Sequence, residues 1–397
     1  MPLDFLSVKN QIQRIIAAAP AQLQLLDQKR NTARDLLRLN ANHQEELRLK
    51  VQQASVEDSF LRSAFPTDEP LDATFSLPES AATPTLIAAD GSQISPNHHE
   101  AVTYHLINLG ALQMTPASGE VPRTFTRSEL HVNEYSSTGT MTDDQVSQLR
   151  DKSERVLLAE LAAGAPAPVI TLTDGPLELW GGRSKDPDEQ QSYLRNLEEY
   201  VAALAALHAT GAATAGYVDK PRADLVVRAL EVSATPLDEL ADIRHKRPLR
   251  GVTDNDLFAP RLQPGERSAI FGMQSQLSDR YPGPLALHFF YLNVGNQKNP
   301  WLARVEIPLW VAQDAAMLAS LHSLLVAQCG ILGGLSYPYA LHRAHEIALV
   351  SKQEKDQVTQ MLLGEMRAQG LTSGLQSHKQ AVKELAPRTI FGQRNGR

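Results

Sequence analysis

The chain predicts an α/β protein, a sheet with helices on its faces preceded by a helical extension. Three observations predict it. Leu86–Ile87–Ala88–Ala89–Asp90–Gly91–Ser92 and Val169–Ile170–Thr171–Leu172–Thr173–Asp174–Gly175 are apolar, β-prone runs that each end in Asp-Gly, the pattern of buried strands leaving a core. Between them, Val146, Leu149, Leu157, Leu158 and Leu161 recur with the helical period over 142–163. Further strand and helix patterns follow, and such alternation favours a sheet covered by helices.

Residues 1 to about 62 contain no glycine. Ile12, Ile15 and Ile16, then Leu36 and Leu37, then Leu47 and Val51 recur at helical spacing. Two helices are expected here, broken near Pro20 or Asp27, with a role in packing or dimerisation. Pro66, Pro70, Pro78 and Pro84 mark residues 64–84 as a linker or meandering loop. After the Asp90 strand, Ala101–Leu112 is expected to return beside it, and Arg123–Leu130 to add a third strand. The 142–163 helix and the Asp174 strand come next. A helix over roughly 187–209 leads to a short strand, Thr214–Val218, ending at Asp219-Lys220. Residues 235–285 show no regular pattern. Leu285–Val294 and Trp301–Trp310 flank a polar Gly295–Pro300 loop, a hairpin signal. Helices over about 313–328 and 338–369 close the pattern. Beyond Gly374 five Lys or Arg stand against one Glu, the composition of a basic arm or of a solvated end. The expected organisation is 1–84 as helical extension and Pro-rich linker, 85–350 as the main domain, and 351–397 as C-terminal helix and basic tail.

Composition narrows the class. The chain has 397 residues, 42% hydrophobic and 21% charged, which fits a globular protein without a membrane span. A single cysteine, Cys329, excludes an internal disulfide; its apolar surroundings predict a buried core residue. With one cysteine a cytoplasmic location is expected, and Met1-Pro2-Leu3-Asp4 lacks the basic-then-apolar layout of a signal peptide. A net charge of −7 argues against a surface that is basic throughout, while leaving room for a local basic groove. The motifs of P-loop ATPases, serine-hydrolase elbows and Cys-x-x-Cys pairs are absent from the sequence.

The chemistry-bearing residues follow from the strands. Asp90 and Asp174 end two strands that, side by side, would bring two carboxylates together, and like charges that close call for a cation or a shared proton. Hard divalent metals suit oxygen ligands. Either Asp-Gly alone is equally an ordinary turn. Glu154 lies on or beside the buried face of the predicted helix, where a carboxylate needs a metal or a partner such as Arg150 or Arg155; Glu160 competes for the same role. Tyr337 opens a segment just before Pro338, and His342 and His345 share a helical face further on. Histidine is an acid–base group and a metal ligand, although a helical histidine is often structural. Lys220, Arg222 and Arg228 follow the Asp219 strand and are either phosphate donors or surface cations. His98 and His99 form a weaker metal signal.

Four segments together resemble one family. Ala88–Pro96 with Leu106–Gly110, the turn Asp174-Gly175-Pro176-Leu177, Gly216–Lys220, and Tyr337-Pro338 through His345 occur in the order and spacing of the NurA nucleases over about 85–350. The resemblance implies an RNase H-like mixed sheet, a homodimer, and cleavage of DNA that depends on Mn²⁺, with Mg²⁺ as an alternative. It further implies 5′-to-3′ exonuclease and single-strand endonuclease activity, exercised in DNA end processing with a HerA-type hexameric ATPase. Asp90, Glu154 and Asp174 match the family's metal-binding acids, and Tyr337 and His345 its C-terminal pair, His345 as ligand or proton carrier. Ser92, Lys220 and Arg222 stand as candidate substrate contacts. Asp219 lies outside the core set. Two rival readings remain at this point: a phosphotransferase of the actin or sugar-kinase type, which lacks its extra glycine-rich loops here, and a non-catalytic adaptor of a DNA-translocating ATPase.

Overall fold

The computed structural model describes residues 3–79, 83–132, 141–181 and 186–371. The basic tail and the stretch 133–140 lie outside the described residues. Among the described residues eleven strands form one sheet: β1 (Ser63–Pro66), β2 (Thr74–Phe75), β3 (Thr85–Ile94), β4 (Tyr104–Met114), β5 (Arg123–Val132), β6 (Val169–Asp174), β7 (Ala213–Asp219), β8 (Arg267–Ser268), β9 (Phe271–Gln274), β10 (Leu287–Asn293) and β11 (Leu302–Pro308). Its main path runs β1-β9-β10-β11-β7-β6-β3-β4-β5. β3, β4 and β5 are antiparallel neighbours, whereas β3, β6 and β7 run parallel. That succession, three meandering strands followed by two parallel ones, is the order of an RNase H-like core. β11, antiparallel to β7, extends it through β10 and β9 to β1.

Helices are α1 (Phe5–Leu39), α2 (Gln44–Glu57), α3 (Asp143–Ala163), α4 (Pro187–Ala209), α5 (Leu225–Ala234), α6 (Asp254–Phe258), α7 (Leu309–Gln313), α8 (Ala315–Ile331), α9 (Tyr339–Ala348) and α10 (Lys352–Ala368). Local chemistry sets their ends. Thr142 and Gln145 form a reciprocal capping box that starts α3, and Asp186 caps α4 ahead of Pro187. Leu86, Ile87, Ala88 and Ala89 are fully buried in β3. Burial of each of the two larger side chains contributes about 1.5–3 kcal/mol. α3 lies over one face of β3, where it meets Gly91, and α9 over the other, where it meets Gly110 of β4.

Three expectations are corrected. α1 is one continuous helix with Pro20 inside it. Its neighbours on both sides, Ala17–Ala19 and Ala21, are the best helix formers and carry the helix past the proline. The break falls at Asn40, whose side-chain amide bonds back to Leu36 O at 2.8 Å. The 64–84 stretch holds β1 and β2, so its prolines punctuate short strands. The expected 338–369 helix is two helices, because Ser351 and Glu354 form a capping box that starts α10. Among the described residues no helix is long and apolar enough to cross a membrane. Cys329 is buried, as expected.

Candidate active site

β6 ends at Asp174, while β3 continues to Ile94 paired only with β4 on its other side. The candidate residues gather around this step in the sheet. Side chains alternate along a strand, so residues paired across strands share a face. Asp90 is paired with Gly110 and therefore points toward α9. There the Nδ1–H of His345 donates to Asp90 Oδ2 at 2.7 Å, and the other Asp90 oxygen accepts from Gly91 N at 2.8 Å. The missing side chain of Gly110 makes this contact possible: a Cβ there would stand 2.5 Å from Ala348 N and 2.6 Å from Ala344 O. The C-terminal end of α9 is held by its Ala348 carbonyl, which accepts from the Ser92 hydroxyl and from Asn108 Nδ2 at 2.7 Å.

Asp174 is paired with Tyr217 and lies toward the same side. Tyr337 packs edge-on against Tyr217 with centroids 5.6 Å apart, and its phenol adjoins the Asp174 carboxylate closely enough to influence its titration. Burial raises the Asp174 pKa; the Tyr337 and Gly175 hydrogen bonds oppose this, and the charges of Asp90 and Asp219 add to it. Burial, with the adjoining Asp174 charge, keeps the Tyr337 phenol protonated.

Glu154 reaches the step from the α3 face, against the backbone of Gly91. A Cβ on Gly91 would lie 2.7 Å from both Glu154 Oε1 and Arg150 Cγ, so these two side chains would have to shift to admit one. Burial pushes Glu154 well above the usual carboxylate range, reinforced by Asp151 and Asp90 and opposed by Arg150 and Arg155. Arg150 Nε stands 3.4 Å from Glu154 Oε1, so the expected pairing of Glu154 with Arg150 is present. Glu160 is turned away to an exposed pair with Arg127 at 2.5 Å. Arg155, expected only as a possible partner of Glu154, is instead buried beneath the acids. Its guanidinium bonds Thr173 Oγ1 at 2.8 Å, Thr214 Oγ1 at 3.1 Å and the Tyr200 hydroxyl at 3.2 Å. It thereby ties α3 to β6, β7 and α4 with a cation under the carboxylates. Only its helical position could have marked it in sequence, since its neighbours come from three other elements.

The remaining candidates separate. Asp219, at the exposed end of β7, accepts from Trp301 Nε1 at 2.7 Å. Lys220 and Arg222 are exposed beside it. Arg228 is corrected to a structural role: it is buried against Glu231 at 2.8 Å and the carbonyls of Lys246 and Ile243. His342 stands 3.5 Å from Glu346 rather than with Asp90, and His98 and His99 lie in an exposed turn.

Among the described residues no group of three or more His, Cys, Asp or Glu is drawn to one ligation point. The donor set still suits a hard cation chemically. Asp90 raises both Glu154 and Asp174 by charge, a repulsion that a divalent ion between them would relieve.

Acidic groups on two parallel strands and on the intervening helix, with an imidazole on the first acid, gather at one step of an RNase H-like sheet. The NurA domain model matches residues 84–350, most of the chain, and the protein belongs to the NurA family. No curated protein matches it. Solved structures show faint similarity of fold. Drosophila Piwi is 10% identical with a TM-score of 0.30, over 68% of this chain and 30% of that one. Ciona intestinalis Endonuclease V, in complex with a 24mer DNA containing an inosine, is 11% identical with a TM-score of 0.30, over 78% and 97%. The human Endonuclease V catalytic domain is 12% identical with a TM-score of 0.29, over 80% and 98%. This chain thus spans less than a third of the Piwi chain it matches.

Proposed function

We propose that this protein is a metal-dependent deoxyribonuclease acting 5′ to 3′ on DNA ends and internally on single strands. In this reading it serves end processing as a homodimer with a HerA-type hexameric ATPase. Residues 85–350 are the nuclease unit, between the 1–84 extension and the 351–397 tail. The observation that carries the proposal is the Asp90–His345 contact at 2.7 Å beside Asp174 and Glu154, in a chain of the NurA family.

Asp90, Glu154 and Asp174 would hold Mn²⁺ or Mg²⁺. The ion would supply a Lewis acid for the phosphodiester and acidify water. Asp90 orients the imidazole of His345 through Nδ1, leaving Nε2 to carry a proton or to ligate. Tyr337 adjoins the carboxylate of Asp174, where its phenol would orient water or phosphate. Lys220 and Arg222 are the cations of the exposed rim that would meet phosphate, and Ser92 acts by seating α9.

The test incubates wild type and Asp90→Ala with end-labelled single- and double-stranded DNA in Mn²⁺, Mg²⁺ or EDTA. Metal-dependent degradation by wild type alone is expected. Equal activity in the variant would remove Asp90 from the mechanism. Inactivity of the wild type with every metal, and also with its cognate ATPase added, would leave the adaptor reading.

A further inference from the structure

Two of the three tryptophans of the chain contrast sharply. Trp310 is a core residue, 8% exposed, with its indole N–H on the Ala212 carbonyl. Trp301 instead stands at the rim of the site, just before β11, whose first residues pair with the end of β7. Its ring is fixed by the 2.7 Å bond to Asp219, whose charge is felt at Asp174. Lys220 Nζ lies over the ring, 5.2 Å from its centroid.

The surrounding backbone is built to hold this arrangement. Asn293, 1% exposed, accepts from both Gly295 N at 3.0 Å and Trp301 N at 3.2 Å. Asn296 accepts from Lys298 N and Asn299 N, both at 3.0 Å. Gly295 leaves 2.3 Å between an imagined Cβ and Asn299 O, so the loop closes tightly on itself. Lys220 has φ 45°, one of two non-glycine residues in the left-handed region among those described. That conformation costs energy for a residue with a Cβ, and such strain gathers at functional positions. Here it turns the lysine back over the indole. Lys298 and Arg222 are exposed nearby along the chain on either side of the pair. An aromatic face with cations around it is the pattern that takes an unpaired nucleotide, base on ring and phosphate on cation. In a chain of net charge −7, cations at this rim beside an acidic centre are placed against the general trend.

We propose that Trp301 and Lys220 form a single-strand subsite next to Asp174, the indole stacking one base and Lys220 holding the adjoining phosphate. Lys220 lies over a half-buried ring, and a cation–ring contact at this rim is weak enough for the lysine to move aside for a base at small cost. Asp219 is a positioning residue that fixes the ring plane. The inference rests on the nuclease reading and narrows its substrate to an unpaired strand at this edge.

The test measures binding of labelled oligothymidylate and of a blunt duplex to the full chain in EDTA. Wild type, Trp301→Ala, Trp301→Phe and Lys220→Gly are compared, with thermal melts of each. Trp301→Ala is expected to weaken single-strand binding about tenfold, within the range of one base–aromatic stack, and Trp301→Phe to retain most of it. Lys220→Gly is expected to melt at the same or a higher temperature, because strain is relieved, while binding the oligonucleotide more weakly. Oligothymidylate binding by Trp301→Ala at wild-type strength would overturn the subsite, as would an equal loss on duplex. If wild type still cleaves DNA with metal, only the subsite fails. A wild type that neither binds nor cleaves DNA overturns both readings.

Discussion

Gly110 sits across from the first catalytic candidate and one helix away from the imidazole that serves it, so its replacement by alanine tests how the site is assembled. In Gly110→Ala the new methyl would fall 2.5 Å from Ala348 N, 2.6 Å from Ala344 O and 2.9 Å from the Ile347 carbonyl carbon. All three are backbone atoms of α9, so no side chain can rotate away. Ordinary contact begins near 3.4 Å, and α9 must therefore retreat by about 0.9 Å. Overpacking of this kind costs about 1–3 kcal/mol of stability. The retreat also stretches the 2.7 Å bond between His345 and Asp90, and a displacement of ~1 Å at a reacting centre costs roughly 100-fold in rate. Urea unfolding would read the first effect and single-turnover DNA cleavage the second. His345→Ala sets the largest loss the helix displacement can cause. The reasoning is refuted by a folded Gly110→Ala protein that cleaves at the wild-type rate, since α9 would then not need its seat on β4.

Two further expectations follow from the same structure. Ser92 and Asn108 share the Ala348 carbonyl, so Ser92→Ala should cost about 1 kcal/mol in urea unfolding and the double variant should depart from additivity; strict additivity would mean that the two bonds do not act on one anchor. Asp254 is buried where it accepts from Val226 N, Val227 N and the Tyr291 hydroxyl, and burial raises its pKa to about 6. The folded chain therefore keeps a proton that the unfolded chain releases, and stability falls by about 3 kcal/mol as pH rises from about 4 to above 6. Asp254→Asn should flatten that part of the stability–pH curve, and an unchanged slope would exclude Asp254 as its source.

The strands that carry the acids were legible because they are buried on both faces. Leu86–Ala89 is apolar throughout and Val169–Leu172 is apolar but for Thr171, whose hydroxyl bonds Thr214, and a polar terminus then marks where each leaves the core. α3 was legible because one stripe of it is buried, and Glu154 could be placed on that stripe by counting turns. The interior of α1 was not, since a proline's local cost is outweighed by flanking alanines. The α9–α10 break was written in Ser351 and Glu354, a cap that helical periodicity overlooks. What stayed hidden depends on distant pairing. Arg155 finds hydroxyls from β6, β7 and α4; Gly110 matters only because α9 crosses it; Trp301 acquires meaning from Asp219, far away in sequence.

The His345–Asp90 contact joins residues separated by 255 positions. A growing polypeptide thus exposes its acids long before the imidazole has been synthesised. Until α9 is made and settles on Gly110, the chain carries Asp90 and Asp174 without the imidazole that the folded structure sets against Asp90. On the proposed reading, the last-made segment completes the site.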